Sequence, residues 1–278
     1  MVASSSGLDR PYVASGLGAL RAALVVAPSP AVEQQTPVHG EAGAIFERAV
    51  AQFDIFTTTL KYFGVRLIQA DQALADGAAV SIADGAVVLR DGAIITRPSA
   101  LGRRREVFAV EAALRALDVP ILGTIASPGT VDGADVILAG DTAYVGMTHG
   151  TNAIGRTMLR DILSASNYKV VEVPLERSVR RLSSVLAFVD DGLAIVAPNR
   201  VDQAALPNVR FIETLQGEEY GAGVLVLGAR HVLADLRYAP ANTVFKKNKI
   251  TVEAIDLYEF TKIGIGPSAL ALAISRKA

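Results

Sequence analysis

The chain has 278 residues and not one cysteine. Disulfides, thiolate metal sites and thiol nucleophiles are excluded together, and a reducing compartment is the expectation. Histidine is nearly as scarce. There are three, His39, His149 and His231, with no two at metal-ligand spacing, so neither a metal nor a cofactor is expected. No sign of charge prevails: 27 basic residues face 28 acidic ones, net −1. That gives a polyanion or a membrane surface no general hold. Short basic clusters at Arg103-Arg104-Arg105, Arg180-Arg181 and Lys246-Lys247 read as solvated surface rather than a nucleic-acid site. No apolar run approaches the ~20 residues of a spanning helix. The first residues are small and polar, and the first apolar stretch is broken by Arg21, unlike a signal peptide. A cytoplasmic protein is expected.

What the chain does have is apolar bulk. Hydrophobic residues make up 51% and charged residues 20%, which predicts a large core, a subunit interface, or both. A homo-oligomer or a protein partner follows as an expectation. Residues 1–17, rich in Ser, Gly and Ala, read as a flexible arm, and 18–278 as one domain with no internal linker.

Within that domain a unit recurs. Val80–Arg97, Asp135–Met147, Val185–Ala197 and Gly223–Leu236 each read as strand, turn, strand, with Asp91-Gly92, Gly140-Asp141, Asp191-Gly192 and Gly228 at the turns. Irregular spacings of roughly forty to fifty-five residues fit a repeat architecture. Apolar residues at helical spacing fill several gaps, over 41–64, 103–117 and 151–166, and strands such as Lys169–Val173 and Ile250–Ala254 follow helices. An α/β domain of hairpin–helix–strand units is the reading.

Several short segments carry a sharper signal. They are Ala93-Ile94-Ile95-Thr96-Arg97-Pro98 with Arg103-Arg104, Thr130-Val131-Asp132-Gly133-Ala134-Asp135, Tyr144-Val145-Gly146 with Thr151-Asn152-Ala153, and Tyr258-Glu259-Phe260-Thr261-Lys262 running through Gly266-Pro267-Ser268-Ala269-Leu270. In order and spacing they resemble the dimethylarginine dimethylaminohydrolases of the guanidine-modifying, or pentein, superfamily. The resemblance implies an α/β propeller of five ββαβ-like repeats around a central cavity. It also implies amidinohydrolase chemistry, in which a Cys thiolate attacks a guanidinium carbon, a His acts as acid and base, and carboxylates orient the His and grip the substrate.

Against that pattern the chain departs repeatedly. The nucleophile position holds Ala269, the His position Arg181, one guanidinium-gripping position Ala83, and the Arg facing a substrate carboxylate is replaced by Gly150, while the His-orienting Glu is shortened to Asp132. Arginine stays protonated and cannot act as a base near neutral pH. Ser268 is one residue off the nucleophile position and lacks a base among the matched motifs. Three expectations follow. The main one is a non-catalytic pseudoenzyme acting through assembly or interaction. The alternatives are a binder of a small guanidino or anionic ligand, and a hydrolase of guanidino C–N bonds with a rewired site. Candidate ligand-binding residues are Asp84, Arg181, Asp132 and His149. Asp84 is equally a turn residue before Gly85. Arg181 and Asp132 are expected to pair and plug the cavity, unless Arg181 points outwards or binds an anion.

Overall fold

A computed structural model describes residues 8, 10, 12–38, 42–71 and 80–277. Each repeated unit builds one three-stranded sheet. The first is β3 (Ala86–Val88), β4 (Ala93–Ile95) and β5 (Ile121–Thr124), and the second β6 (Val136–Ala139), β7 (Thr142–Met147) and β8 (Lys169–Pro174). The third is β9 (Leu186–Asp190), β10 (Leu193–Val196) and β11 (Arg210–Glu213), and the fourth β12 (Leu225–Gly228), β13 (His231–Asp235) and β14 (Thr251–Ile255). In each of these four sheets the first two strands are an antiparallel hairpin and the last two are parallel. Parallel neighbours need a crossover, normally a helix. It is supplied by α2 (Glu106–Ala116), α3 (Ala153–Ala165) and α4 (Ala239–Lys247) in the first, second and fourth sheets. Between β10 and β11 a short 3-10 turn, Gln203–Ala205, takes the place of an α-helix.

The fifth sheet is divided between the chain's ends. β1 (Ala19–Val25) pairs antiparallel with β15 (Leu272–Lys277), Leu24 opposite Leu272, and parallel with β2 (Arg66–Gln69) across α1 (Phe46–Tyr62). The sequence shows four hairpins because this one is assembled from segments some 250 residues apart, which no local periodicity reveals. Gly64, at φ +76°, ends α1 in the left-handed conformation expected of a glycine after a helix.

The expectation of a loose arm over 1–17 does not hold for its second half. Tyr12 and Val13 are buried, and the amides of Tyr12, Val13 and Gly16 donate to the carbonyls of Arg90, Leu89 and Leu138. A Cβ on Gly16 would stand 2.4 Å from the Leu138 carbonyl oxygen, so only glycine lets this strap lie so close. Residues 1–7, 9 and 11 lie outside the described residues. The inner strand β3 and the central strand β10 are buried along their whole length. Among the described residues no helix is long and apolar enough to cross a membrane.

Candidate functional site

A 3-10 turn precedes the innermost strand of every sheet: Ile82–Asp84, Gly133–Asp135, Leu182–Ser184, Glu219–Ala222 and Pro267–Ala269. Successive turns from Ile82–Asp84 to Glu219–Ala222 touch, as do the last and the first, and the Ser268 amide donates to the carbonyl of Gly223, next to Glu219–Ala222, so together they ring one end of the central axis. Asp84, Asp135, Ser184, Ala222 and Ala269 close these turns, which makes Ala269 the fifth member of a repeated position. Almost every sequence-predicted residue belongs to this ring or to the loops beside it.

Asp84 lies at its heart, fully buried. Its carboxylate accepts from Arg103 NH1 at 2.7 Å and Ser81 Oγ at 2.8 Å. It also accepts from Arg181 Nε at 2.9 and 3.1 Å and from Arg181 NH2 at 2.7 Å. Arg103 is shared with Glu106 at 3.0 Å. Two guanidinium ions and two carboxylates thus form a charge-balanced group. Burial works against ionising Asp84, but the coulombic pull of Arg181 and Arg103 wins and holds its pKa far below the usual carboxylate range. Burial alone would lower the pKa of each arginine, but Asp84 outweighs it and raises both.

One sequence expectation is corrected here. Arg181 does not pair with Asp132: it reaches across the axis to Asp84 and, through NH1, to the Gly264 carbonyl at 3.4 Å. Asp84 already accepts five hydrogen bonds from Arg103, Arg181 and Ser81, and two of its donors are the protein's own guanidinium ions. Arg181 and Asp132 each stand one residue before their turns; the long arginine side chain reaches Asp84, which closes the turn Ile82–Asp84, whereas the short Asp132 side chain meets no guanidinium at contact distance.

Asp132 is consequently left without a side-chain salt bridge at contact distance among the described residues. Burial, reinforced by the negative charge on Asp84, pushes its pKa up to about 6, against the opposing pull of Arg181 and Arg103. It faces a cavity of about 440 Å³ lined also by Arg103, Arg177, Arg180, Arg181, His149 and Gly150. Gly150 has a specific part: a Cβ there would lie 2.1 Å from Asp132 Oδ2, so the absence of a side chain is what gives the carboxylate its place. His149 is an exposed residue of the cavity rim. His231 is held elsewhere, bonded to Glu253 at 3.0 Å, and His39 lies outside the described residues. Ala269 is buried at the C-terminal turn. Ala83, within the turn Ile82–Asp84, lines the cavity along the axis. Ser268 donates to the Ser183 carbonyl at 3.1 Å, as a backbone-bonded serine does.

Asp135 is the residue that sequence reasoning passed over. Its carboxylate accepts from Thr148 Oγ1, Thr151 Oγ1 and the Leu182 amide, tying three loops to one buried point. Burial raises its pKa to about 7, and the hydrogen bonds of Thr148, Thr151 and Leu182 only partly offset that. The signal that could have found it is the repeat itself, since Ala134-Asp135 stands where Ala83-Asp84 stands one unit earlier.

The motif residues prove largely structural. Thr96 Oγ1 donates to the Asp84 carbonyl at 2.6 Å, and Arg97 NH1 to the Gly129 carbonyl at 3.0 Å. Asn152 caps α3 through the Gly155 amide at 2.7 Å and accepts from the Thr130 amide at 3.1 Å. Glu259 and Lys262 form a buried pair at 2.6 Å, and Glu259 accepts from the Ile45 amide at the start of α1. The C-terminal frame is thereby fastened whatever occupies its nucleophile position.

No family model matches the chain. It is 34% identical over 214 residues to the N(G),N(G)-dimethylarginine dimethylaminohydrolase of Streptomyces coelicolor, covering 76% of this chain and 80% of the relative. It is 27% identical over 229 residues to the Pseudomonas aeruginosa protein of the same name, covering 82% and 89%. The solved Pseudomonas aeruginosa structure complexed with citrulline superposes with a TM-score of 0.83 at 24% identity, over 91% of this chain and 99% of that one. That superposition establishes the pentein α/β fold, with five three-stranded sheets in this chain. The expectation of a non-catalytic chain is overturned by these relatives, which are named hydrolases and point to an enzyme. Losing a thiol closes one route; it leaves in place a cavity with a carboxylate ionising near neutrality. On the extent of its match to the Streptomyces coelicolor hydrolase, the chain belongs to the dimethylarginine dimethylaminohydrolase family.

Proposed function

We propose that this protein is a hydrolase acting on a C–N bond of a small guanidino compound, with water in place of a thiolate. The observation that carries the reading is Asp132, with a pKa raised to about 6 at the wall of a 440 Å³ cavity. A carboxylate of that pKa is ionised at neutral pH and basic enough for general-base catalysis, which works best near the operating pH.

In this reading Asp132 accepts a proton from water as the water oxygen bonds to the guanidinium carbon. The tetrahedral adduct then collapses by breaking one C–N bond. Asp132 returns its proton to the departing nitrogen, and the adduct's hydroxyl proton follows, so that a ureido product and an ammonium ion leave. Charge and atoms balance: a guanidinium ion and water become a urea and an ammonium ion. Arg177 and Arg180 at the cavity wall suit a carboxylate on the same substrate, which makes an amino-acid-like guanidino compound the favoured class. The names of the relatives favour the same class.

The test is release of ureido product and amine from N(G),N(G)-dimethylarginine, arginine and agmatine, followed by mass spectrometry. Wild-type protein is expected to turn over at least one of them, with a rate that rises with pH through about 6 as Asp132 ionises, and Asp132→Asn to lose the activity. Binding of all three without product, or an unaltered rate in Asp132→Asn, overturns the assignment. The expected association of copies remains part of the proposal. Tyr62, Leu101 and Phe108 are exposed apolar side chains that suit it, and a monomer at every concentration in sedimentation would contradict it.

A further inference from the structure

The far half of the central axis belongs to neither Asp84 nor Asp132. There the inner strands line a second, partly open cavity of about 160 Å³, room for several waters or one small anion, since ~10–15 Å³ already admits a water. Its wall is mainly apolar, with Val87, Leu138, Phe188 and Leu272 contributing. Three polar side chains interrupt it, one of them Ser268, which is already bonded to the Ser183 carbonyl. In the ring itself stands Ser183, whose hydroxyl is buried without a hydrogen-bond partner among the described residues. Farther along β15 stands Arg276, four residues beyond Leu272, or about 13 Å at the strand rise of ~3.3 Å per residue.

Arg276 is 8% exposed. Its NH1 donates to the Gly18 carbonyl at 2.8 Å, which leaves other donors of the guanidinium fork for the cavity it lines. Among the described residues no carboxylate pairs with it, and burial, with no charge acting on it, lowers its pKa to about 10. The contrast with Arg103 and Arg181 is direct, since each of those meets Asp84. A buried cation is costly unless an anion accompanies it.

We infer that the axial cavity is a second ligand site, taking a short aliphatic monocarboxylate that pairs with Arg276 and lies along the apolar wall toward the Ser183 hydroxyl. One guanidinium matches one negative charge. A phosphate dianion would bring a charge with no partner, and the apolar wall would exclude its hydration shell. The inference is independent of the hydrolase reading, because it uses neither Asp132 nor the Asp84 group.

Butyrate is the probe. Thermal unfolding and calorimetry are run on the full chain with butyrate, acetate and phosphate, against chloride at equal ionic strength. Butyrate is expected to raise the unfolding temperature by at least about 5 °C at a hundredfold excess over its Kd, more than acetate or phosphate. The shift is expected to vanish in Arg276→Met and in Ala187→Leu, which fills the cavity wall from β9, and to persist in Arg177→Ser/Arg180→Ser, which strips cations from the other cavity. Should Arg276→Met fail to fold, Ala187→Leu decides alone. No butyrate effect beyond chloride, or a response retained in Ala187→Leu and lost in Arg177→Ser/Arg180→Ser, overturns the inference.

Discussion

Arg181→Met probes the group that ties the ring of turns together. Arg181 supplies three of the contacts on the fully buried Asp84, at 2.7 to 3.1 Å, and has itself only 12% of its side chain exposed. Removing one partner of a buried pair typically costs ~3–5 kcal/mol, because the other charge stays buried without compensation. Arg103 still faces Asp84 in the variant, so Arg181→Met falls toward the lower end of that range. Asp84→Leu strands Arg181 and falls toward the upper end. At about 2–4 °C for each kcal/mol in a chain of this size, the drop in unfolding temperature is roughly 10 °C. The double variant Asp84→Leu/Arg181→Met replaces an ion pair by apolar volume and leaves Arg103 with Glu106. It is expected to cost less than the sum of the singles by about 2–3 kcal/mol, read as the coupling energy of a double-mutant cycle in urea. The acid limb carries a second check. A carboxyl held below its ordinary value stabilises the fold above that value, and the contribution is lost as pH falls below about 4. Arg181→Met weakens that loss. Additive single effects, with an unchanged unfolding temperature for Arg181→Met, would refute the reasoning.

Asp135 predicts the opposite slope. Its carboxyl is raised from 3.8 to about 7, so the folded state holds the proton more tightly, and stability declines as pH climbs from about 4 through 7, by at most ~4 kcal/mol. Asp132 adds to the same decline. Asp135→Asn keeps an acceptor for the Leu182 amide and is expected to flatten much of the slope in denaturation curves at pH 5 and pH 8; equal slopes would show that Asp135 does not titrate in this window. Gly155→Ala tests the packing of α3. A Cβ there would lie 2.1 Å from the Thr130 carbonyl oxygen and 2.7 Å from its carbon, both backbone atoms that cannot turn aside. A loss of at least ~2 kcal/mol in urea unfolding is expected, although alanine is intrinsically the better helix former; a stabilised variant would contradict the close approach.

Much of the architecture was legible because it is local. Turn dipeptides such as Asp91-Gly92 and Asp191-Gly192 mark hairpins from within a few residues, and helical spacing marks α1, α2 and α3 without reference to the rest of the chain. The split fifth sheet was not legible, since β1 and β15 carry no hairpin signal of their own. The strap over Tyr12 to Gly16 was misread for the same reason: small residues look flexible until the carbonyls they meet are known.

In the site, sequence and tertiary structure divided the work along a physical line. The residues alone closed the thiol route, because no fold can supply a sulfur that the chain lacks. They also marked Ala83, Asp84, Asp132, His149, Gly150, Arg181 and Ala269 as the neighbourhood to watch. Which charge meets which was decided by the closed ring. Arg181 and Asp84 are 97 residues apart and meet only because their turns face one axis. Asp132, whose short side chain meets no cation at contact distance among the described residues, is left to the cavity with its pKa raised. Charge pairing depends on distances and burial, and those exist only once the five sheets have closed around the centre.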